Sequence, residues 1–358
     1  METKDRVPAG QPLLRADNIV KHFPVRGGVL GSGRKQVVHA VDGVSLEVIA
    51  GETVGLVGES GCGKSTLGRC LVRLLDPTSG TITFAGRDLT QMSRRALRPY
   101  RKQIQMVFQD PYASLNPRAR ALDIVAEPMR IHRLGSSAQI RARTIELLTK
   151  VGLDASSAQR YPHEFSGGQR QRIGIARALA LSPQLLVADE PVSALDVSIQ
   201  AQVLNLFSDL ADDLGLTYVF IAHDLGVVRH VSDRIGVMYL GEMVELGPAE
   251  LVYGSPAHPY TQALLSAVPE IDDGRQTGPL RERIVLTGDV PSPIVKPSGC
   301  SFHPRCPVAT EVCMQVRPVL APLGDGRTVA CHHPQVAGAI ATSGAAGTSR
   351  PVVLGEKS

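Results

Sequence analysis

The 358-residue chain contains no tryptophan, and aromatic residues make up only 4% of it. So few aromatic side chains do not provide the stacking platforms by which many proteins hold single-stranded nucleic acid. The formal net charge of +4 is also too small to argue for a nucleic-acid partner. We therefore expect no interface with nucleic acid.

Long apolar runs are also missing. No stretch of the chain approaches the roughly 20 apolar residues that a membrane-spanning helix needs. The N-terminal sequence METKDRVPAG lacks the apolar centre of a secretory signal. Hydrophobic residues make up 43% of the chain and charged residues 20%, which is enough to bury a core. These features predict a cytosolic chain of one large domain or two.

A glycine-rich stretch, GESGCGKST at residues 58–66, carries the most information. The spacing of its glycines, lysine and serine matches the phosphate-binding P-loop. Residues 53–57 before it have the pattern of a short buried strand, and helical spacing follows it. Glycines let backbone N–H groups face a phosphate, and the helix N-terminus adds partial positive charge. The pattern predicts that Lys64 reaches the β- and γ-phosphates and that Ser65 holds Mg²⁺.

Two other apolar runs deliver polar residues where they end. Residues 185–188 lead into Asp189 and Glu190, and residues 218–222 lead into His223. Open α/β sheets hold their ligands at the carboxyl edge, where such residues meet. Beside a P-loop, Asp189 is expected to complete the Mg²⁺ site and Glu190 to polarise the attacking water.

The string FSGGQRQR at residues 165–172 precedes a run with helical spacing. Ser166 and Gln169 have the spacing of a capping box, which is the plainest interpretation. The two glycines between them also bare backbone N–H groups at a helix N-terminus. Such a terminus suits a second phosphate-binding surface.

Strand and helix patterns alternate over residues 13–250, which predicts an α/β fold with a parallel or mixed sheet covered by helices. Strand patterns are absent from residues 112–162, where residues 124–131 and 140–151 indicate helices, so a helical subdomain is expected there. After about residue 254 prolines are frequent and periodicity is weak, which indicates a separate, irregular C-terminal module. The tail, rich in alanine, glycine, serine and threonine, is predicted to be disordered over residues 336–358.

Taken in order, these patterns resemble those of the ABC ATPase family. The matching segments are Walker A at residues 58–66, the Q-loop at Gln109, the signature at residues 166–169, Walker B at residues 185–190, the D-loop at residues 193–196 and the switch histidine at His223. Phe165 stands where the family most often has leucine. The resemblance implies a P-loop ABC-type nucleotide-binding domain over residues 13–254, with a RecA-like mixed sheet and a helical subdomain at about residues 112–170.

The resemblance also implies the residues of the site. Catalysis is expected of Lys64, Glu190 and His223. ATP is expected to contact Phe23, which would stack on adenine, and Gly58, Glu59, Ser60, Gly61, Cys62, Gly63, Lys64, Ser65, Thr66 and Gln109. Mg²⁺ is expected to bind Ser65, Gln109 and Asp189. In this family two ATPase domains sandwich two ATP molecules, and the residues expected to face the partner's nucleotide are Ser166, Gly167, Gly168 and Gln169, with Asp196 in the D-loop.

Further strings are similar to the ATPases of bacterial and archaeal oligopeptide and dipeptide importers. They are QDPYASLNP at residues 109–117, EPVSALDVSIQ at residues 190–200 and HPYT at residues 258–261. Cys62, with Asp110 and Pro111 after Gln109, looks more like the F-type than the D-type ATPase subunit of these importers. This resemblance implies that the chain powers import of di- or oligopeptides at the cytoplasmic face of the cell membrane.

The partners implied are a sister ATPase in a heterodimer, two membrane permeases and an external substrate-binding protein. The same machinery could carry nickel, glutathione or an oligosaccharide, because the ATPase never touches the cargo. The contrasting class is a soluble ABC protein that acts on nucleic acid or ribosomes. Such proteins typically have two ATPase domains in one chain or long coiled coils, and this sequence has neither.

Four of the six cysteines lie close together in the C-terminal domain expected over residues 255–335. They are Cys300, Cys306, Cys313 and Cys331. In a cytosolic protein such a group indicates a metal site rather than disulfides. Four thiolates can bind a [4Fe–4S] cluster or Zn²⁺, but the C-x₂-C spacing typical of zinc ribbons is absent. Because relatives in the importer family carry an iron–sulfur cluster here, we expect a [4Fe–4S] cluster, with zinc as the alternative, unligated thiols third, and His303, His332 or His333 as possible further ligands.

Overall fold

The structure is a computed structural model that describes residues 6–25, 36–268 and 283–335. The tail predicted at residues 336–358 lies outside the described residues. Within the described ranges, the chain folds around two sheets, with helices covering the larger one. This arrangement confirms the predicted α/β class.

The strands are, in chain order, β1 (Pro12–Val25), β2 (Gln36–Ile49), β3 (Thr53–Val57), β4 (Ser79–Phe84), β5 (Arg87–Asp88), β6 (Ile104–Val107), β7 (Leu185–Asp189), β8 (Thr217–Ile221), β9 (Arg234–Tyr239), β10 (Glu242–Pro248), β11 (Ala321–Pro322) and β12 (Thr328–Val329). The α-helices are α1 (Lys64–Leu71), α2 (Tyr100–Gln103), α3 (Pro111–Ser114), α4 (Ala121–Ile131), α5 (Ser137–Lys150), α6 (Gly167–Leu179), α7 (Val197–Leu214), α8 (Leu225–Val231), α9 (Ala249–Gly254), α10 (Pro259–Ser266) and α11 (Glu311–Gln315). Short 3₁₀ helices span Ala155–Gln159, Pro162–Glu164 and His303–Arg305.

The larger sheet is mixed. As far as the chain is described, its strand order is β11-β12-β10-β9-β3-β8-β7-β6. Strands β9, β3, β8, β7 and β6 run parallel to one another, whereas β10, β12 and β11 are joined by antiparallel pairing, β10 to β9 included. The smaller sheet is antiparallel, in the order β2-β1-β4-β5. The carboxyl ends of β3, β8, β7 and β6 consequently meet at one edge of the larger sheet.

The core lies on both faces of the larger sheet. On β7, Leu186 and Ala188 join the cluster formed with the helices, while Leu185 and Val187 face the cluster that includes α1 and the antiparallel sheet. Because successive side chains of a strand point to opposite faces, a strand buried on both sides is apolar throughout. This burial explains the uninterrupted apolar runs that predict β3, β7 and β8.

The helical insertion lies between β6 and β7. Helices α4 and α5 confirm the helices predicted at residues 124–131 and 140–151, and no strand occurs between Val107 and Leu185, a stretch described in full. Helix α6 contacts both α4 and α5, so the segment that follows Ser166 belongs to the helical group. In the described part of the chain, no helix is both long and apolar enough to cross a bilayer.

The C-terminal region is joined to the larger sheet rather than set apart from it. Strand β12 pairs with β10, with Thr328 opposite Leu246 and Val329 opposite Glu245. The region also contains α10, a helix that the sequence analysis did not anticipate. Its start has a local signal, because Pro259 occupies the first turn and the His258 side chain accepts a hydrogen bond from the Tyr260 N–H.

Candidate functional site

The phosphate loop, residues 58–66, connects β3 to α1 at the carboxyl edge of the larger sheet. Gly58 and Gly63 have φ angles of 149° and 104°. A Cβ on Gly63 would lie 2.0 Å from the Ala40 carbonyl oxygen, and one on Gly58 would lie 2.2 Å from the Met238 oxygen. The loop can therefore adopt this path only with glycine at both positions, as its sequence pattern predicts.

Lys64 is held inside the curve of this loop. Its Nζ donates hydrogen bonds to the Gly58 oxygen at 2.6 Å and to the Glu59 oxygen at 3.0 Å. The Lys64 side chain is almost fully buried, and both carbonyls belong to the same loop, a few residues before it. A buried ammonium needs such partners, and an anion entering the loop would offer it a stronger one.

Ser65 and Asp189 meet across the sheet edge, 124 positions apart in the chain. The Ser65 hydroxyl donates to Asp189 Oδ1 at 2.6 Å. Asp189 is fully buried, and its Oδ2 has no hydrogen-bond partner among the described residues, although Arg69 Nη2 lies 3.6 Å away. A hydroxyl beside an incompletely paired carboxylate is the oxygen donor set that Mg²⁺ prefers, so these residues fit a magnesium ion.

Glu190 follows directly and connects two other predicted residues. Gln109 Nε2 donates to Glu190 Oε2 at 2.8 Å, and His223 Nδ1 lies 3.9 Å from the same oxygen. Glu190 has φ 45°, a strained backbone conformation for a residue with a side chain. A cavity of about 100 Å³ beside it is lined by residues that include Ser193 and His223. Two residues predicted from separate motifs, Gln109 and His223, thus lie beside the carboxylate of a third, Glu190.

The signature residues form a second group, away from these contacts. Ser166 caps α6: its hydroxyl accepts from the Gln169 N–H at 3.3 Å, and the Gln169 side chain accepts from the Ser166 N–H at 3.0 Å. A Cβ on Gly168 would lie 2.4 Å from Ile199 Cγ2, so close packing against α7 requires this glycine. Asp196 is exposed at the start of α7. Among the described residues, no hydrogen bond or ion pair joins residues 166–169 to the phosphate loop.

Phe23 lies on β1, opposite Val38 on β2, and is partly exposed. The Lys21 ammonium stands 5.0 Å from the centre of its ring. Phe23 is therefore an aromatic residue of the antiparallel sheet that is only partly buried. Its role toward adenine stays a prediction.

Near Phe23, the side chains of His22, His39 and Asp42 gather closely enough to hold a metal ion. However, Lys296 Nζ lies 2.8 Å from Asp42 Oδ2 and Arg317 lies 3.4 Å from it. Burial raises the pKa of Asp42, but Lys296 and Arg317 outweigh that effect and lower it overall. Two cations already neutralise this carboxylate, so we assign no metal to the group.

The four C-terminal cysteines line one small cavity of about 10 Å³, together with His303, His332 and His333. Burial raises the pKa of Cys300 and Cys306, and raises that of Cys331 to about 11. None of the six cysteines forms a disulfide. Four thiols around one enclosed space are a soft donor set, which fits the predicted group of metal ligands.

The distances in this cavity do not form a closed zinc site. Tetrahedral coordination at 2.3 Å places sulfur atoms about 3.8 Å apart, but no three of these thiols lie within 4.8 Å of one another. The histidines have other partners. His332 Nε2 bonds to the Val316 oxygen at 2.8 Å, and His333 Nε2 bonds to the Thr310 hydroxyl at 2.7 Å. The imidazoles are therefore weaker candidates for ligands than the thiols.

Two contacts on the phosphate loop were not predicted from the sequence. Arg305 donates to both carboxylate oxygens of Glu59, at 2.9 and 3.2 Å, and the Tyr260 hydroxyl accepts from the Glu59 N–H at 2.9 Å. Burial lowers the pKa of Arg305, but its two hydrogen bonds to the Glu59 carboxylate contribute to a larger opposing effect, so the pKa is raised overall. Because the bonded partners are 246 and 201 positions apart, no local sequence signal could have revealed them.

Two family profiles match the chain. The profile described as ABC transporter matches residues 41–193, which include the phosphate loop, Gln109 and Glu190. The profile described as oligopeptide/dipeptide transporter, C-terminal region, matches residues 244–313, which include three of the four clustered cysteines. The first region covers the parallel strands that carry most of the site, and the second begins on β10.

Similar proteins cover nearly the whole chain. It is 54% identical to the oligopeptide transport ATP-binding protein AppF of Bacillus subtilis, over 90% of this chain and 97% of that protein. It is 50% identical to the dipeptide transport ATP-binding protein DppF of Escherichia coli, over 90% of this chain and 94% of that protein. Among solved structures, the dimeric post-hydrolysis state of the ATP-binding cassette MJ0796 bound to ADP and Pi is similar, with a TM-score of 0.59 and 30% identity over 66% of this chain and 99% of MJ0796.

Proposed function

Because the chain belongs to the ABC transporter family, among its oligopeptide and dipeptide transport ATP-binding proteins, we propose that it hydrolyses ATP to power import of di- or oligopeptides. The observation that carries this proposal is the gathering of the phosphate loop, the Ser65–Asp189 pair and the Gln109–Glu190–His223 group at one sheet edge. Peptide cargo rests on the names of the relatives, since the ATPase itself makes no contact with cargo.

The phosphate loop is proposed to hold the nucleotide phosphates. Its backbone N–H groups and the N-terminus of α1 supply partial positive charge for an anion. Lys64 would exchange its two carbonyl partners for phosphate oxygens, a stronger, charge-assisted interaction. Phe23 is proposed to stack on the adenine ring from the antiparallel sheet.

Ser65, Asp189 and Gln109 are proposed to hold Mg²⁺. The ion would neutralise charge on the phosphate oxygens. Asp189 can supply Oδ2 without losing a hydrogen bond, because that atom has no hydrogen-bond partner among the described residues. Burial around the carboxylate excludes competing water, which strengthens its attraction for a cation.

Glu190 is proposed to be the general base. Its Oε2 already accepts from Gln109 Nε2 at 2.8 Å, which fixes the orientation of the carboxylate. Glu190 has a strained backbone conformation and lines a cavity together with His223. His223 is more than half exposed, so it is free to contact the γ-phosphate while Glu190 takes the proton from water.

The signature is proposed to act on the nucleotide of a second ATPase. Ser166 and Gly168 stand at the N-terminus of α6 in a group apart from the phosphate loop, as expected if they cap a nucleotide bound elsewhere. The related MJ0796 cassette was solved as a dimer. We infer a heterodimer with a sister ATPase, held at the cytoplasmic face of the membrane by two permeases and supplied by an external substrate-binding protein.

The four C-terminal cysteines are proposed to hold a [4Fe–4S] cluster, with Zn²⁺ as the alternative. Support comes from the four thiols, which line one cavity and form no disulfides. Iron and zinc analysis of the anaerobically purified chain tests this proposal. Stoichiometric iron with sulfide would support the cluster, and absence of both metals would refute the site.

The central test is ATP turnover in membranes that contain the chain with its neighbouring ATPase and permeases. Adding the binding protein and peptides should raise turnover. Glu190→Gln should lower turnover about a hundred-fold or more, while MgADP affinity stays unchanged. Glu250→Gln, at an exposed ion pair with Arg229, is the control. Vigorous turnover by the isolated chain, indifferent to membranes and peptide, would contradict the transport proposal.

A further inference from the structure

The side chain of Glu59, the first residue after Gly58 in the phosphate loop, does not point into solvent. Its carboxylate accepts two hydrogen bonds from the Arg305 guanidinium, at 2.9 and 3.2 Å. The Arg305 side chain is only 9% exposed, and Glu59 is 27% exposed. A two-pronged pair of this kind fixes both the position and the rotation of the carboxylate.

The main chain of Glu59 is held as well. Its N–H donates to the Tyr260 hydroxyl at 2.9 Å, and Tyr260 is fully buried in α10. The Tyr260 ring contacts Phe302, whose ring centre is 5.4 Å away, and Phe302 lies just before the short helix that carries Arg305. The two groups that hold Glu59 thus pack on each other through one aromatic side chain.

Glu59 also shapes the binding side of the loop. Its carbonyl oxygen accepts from Lys64 Nζ at 3.0 Å and from the Cys62 N–H at 3.2 Å. A shift of Glu59 would therefore move a partner of the lysine and change the turn that the loop makes. The Arg305 charge is cancelled by Glu59, so its effect on a phosphate is exerted through geometry.

We propose that Arg305 is a positioning residue for the phosphate loop: by holding Glu59 from the C-terminal region, it sets the affinity of the loop for nucleotide phosphates. This inference rests on the proposed function, because it takes the loop to be the nucleotide site. It makes the C-terminal region, 246 positions away in sequence, part of the ATP site.

Titration of the full-length chain with MgADP tests the inference without hydrolysis. Arg305→Ala should weaken MgADP binding about ten-fold, or about 1.4 kcal/mol. Arg305→Lys keeps the charge and one hydrogen bond, so its affinity should be intermediate. Arg317→Ala is the matched control, since Arg317 pairs with Asp42 and Glu242, and it should bind like the unaltered chain.

Two further experiments distinguish a positioning role of Arg305 from other causes of weaker MgADP binding. If the loss in Arg305→Ala came only from repulsion by an uncovered Glu59, adding Glu59→Ala would restore affinity; positioning predicts that the double variant stays weak. In the assembled transporter, Arg305→Ala should raise KM for ATP while kcat stays within roughly two-fold, because Glu190 and His223 are untouched.

Different results would contradict the role of Arg305 and the proposed nucleotide-binding function. Unchanged MgADP affinity in folded Arg305→Ala, or restored affinity in the double variant, would overturn the inference. If the unaltered chain itself bound no MgADP, or Lys64→Ala bound it equally well, the proposed function would fail instead. Thermal unfolding of each variant identifies any that does not fold, and in that case Arg305→Lys and Arg305→Gln decide.

Discussion

At the scale of single residues, two glycines of the phosphate loop differ in what they require. Gly61 and Gly63 both have positive φ, at 80° and 104°. A Cβ on Gly61 would meet no atom within 4 Å, whereas one on Gly63 would lie 2.0 Å from the Ala40 oxygen. Backbone strain would burden alanine at both sites, but only Gly63 also excludes a side chain by contact with backbone.

We therefore predict a graded pair of variants. Gly61→Ala should lower the free energy of unfolding by about 1 kcal/mol, the cost of a left-handed conformation. Gly63→Ala should lower it by about 3 to 5 kcal/mol, because overpacking adds to that cost, and should also abolish MgADP binding. Urea unfolding and nucleotide titration measure both effects. Equal losses of unfolding free energy in the two variants would show that the contact with Ala40 adds nothing to the cost of the left-handed conformation.

The sequence pattern identifies the functional residues but does not predict their backbone conformation. Glu190 was predicted as a base from its place after an apolar strand, yet its positive φ has no local signal. Its backbone is held by tertiary contacts: the N–H donates to the Ile221 oxygen at 2.9 Å, and the oxygen accepts from the Ser193 hydroxyl at 3.0 Å. Such strain persists only where surrounding structure imposes it.

At the scale of elements, helices α5 and α6 begin with the same capping motif. Ser136 and Gln139 form a capping box on α5, and Ser166 and Gln169 form one on α6. In both, the serine hydroxyl accepts from the glutamine N–H at 3.3 Å. The caps are thus matched in geometry, while only the second is proposed to face a nucleotide.

Because the two caps have the same geometry, substituting each serine distinguishes a role in helix capping from a role in ATP turnover. Ser136→Ala and Ser166→Ala should each cost about 1 kcal/mol of stability, the usual value of a helix cap. Only Ser166→Ala should also lower peptide-stimulated ATP turnover in the assembled transporter. Thermal unfolding and turnover measure the two effects. If both variants lowered turnover equally, Ser166 would be no more than a cap.

At the scale of the whole molecule, the C-terminal region is bound to the core at several points. Strand β12 extends the larger sheet, Lys296 pairs with Glu242 at 2.6 Å, and Arg305 reaches the phosphate loop. His258, at the start of α10, is fully buried, and burial lowers its pKa to about 3. The stability of the molecule should therefore depend on the protonation of this imidazole.

Protonation of His258 favours the unfolded chain over the folded one. Unfolded His258 takes up a proton near pH 6.5, whereas the folded chain resists it down to about pH 3, so stability is lost as pH falls through that window. His258→Asn should remove this dependence and keep the cap on Tyr260, because asparagine also accepts from the N–H. Between pH 7 and pH 5 the unaltered chain should lose about 2 kcal/mol more than the variant.

Urea unfolding at both pH values checks this prediction. Glu245 is the nearest opposing group: burial raises its pKa, so it favours the folded state as pH falls. Its bonds to the N–H groups of Ala257 and His258 involve backbone and remain in the variant, so its contribution cancels in the difference. Parallel pH profiles for the two proteins would contradict the role of His258.

Local sequence patterns are enough to predict the α/β class, the phosphate loop and the polar residues that end β7 and β8. These features follow from glycine spacing and from apolar runs, which are local patterns governed by backbone sterics and burial. The two long helices of the insertion, α4 and α5, were predicted for the same reason. The helix α10 was missed because prolines obscured its periodicity, although Pro259 and His258 mark its start.

Contacts between residues far apart in the chain follow from the tertiary fold and have no local sequence signal. The contacts of Gln109 with Glu190, of Arg305 with Glu59 and of Tyr260 with the Glu59 N–H join distant segments. The tertiary fold also joins β12 to the main sheet, although this segment follows an irregular stretch. A short polar segment has no hydrophobic periodicity from which its neighbouring strand could be predicted. Its place is selected by the hydrogen bonds and charges that the rest of the fold leaves open.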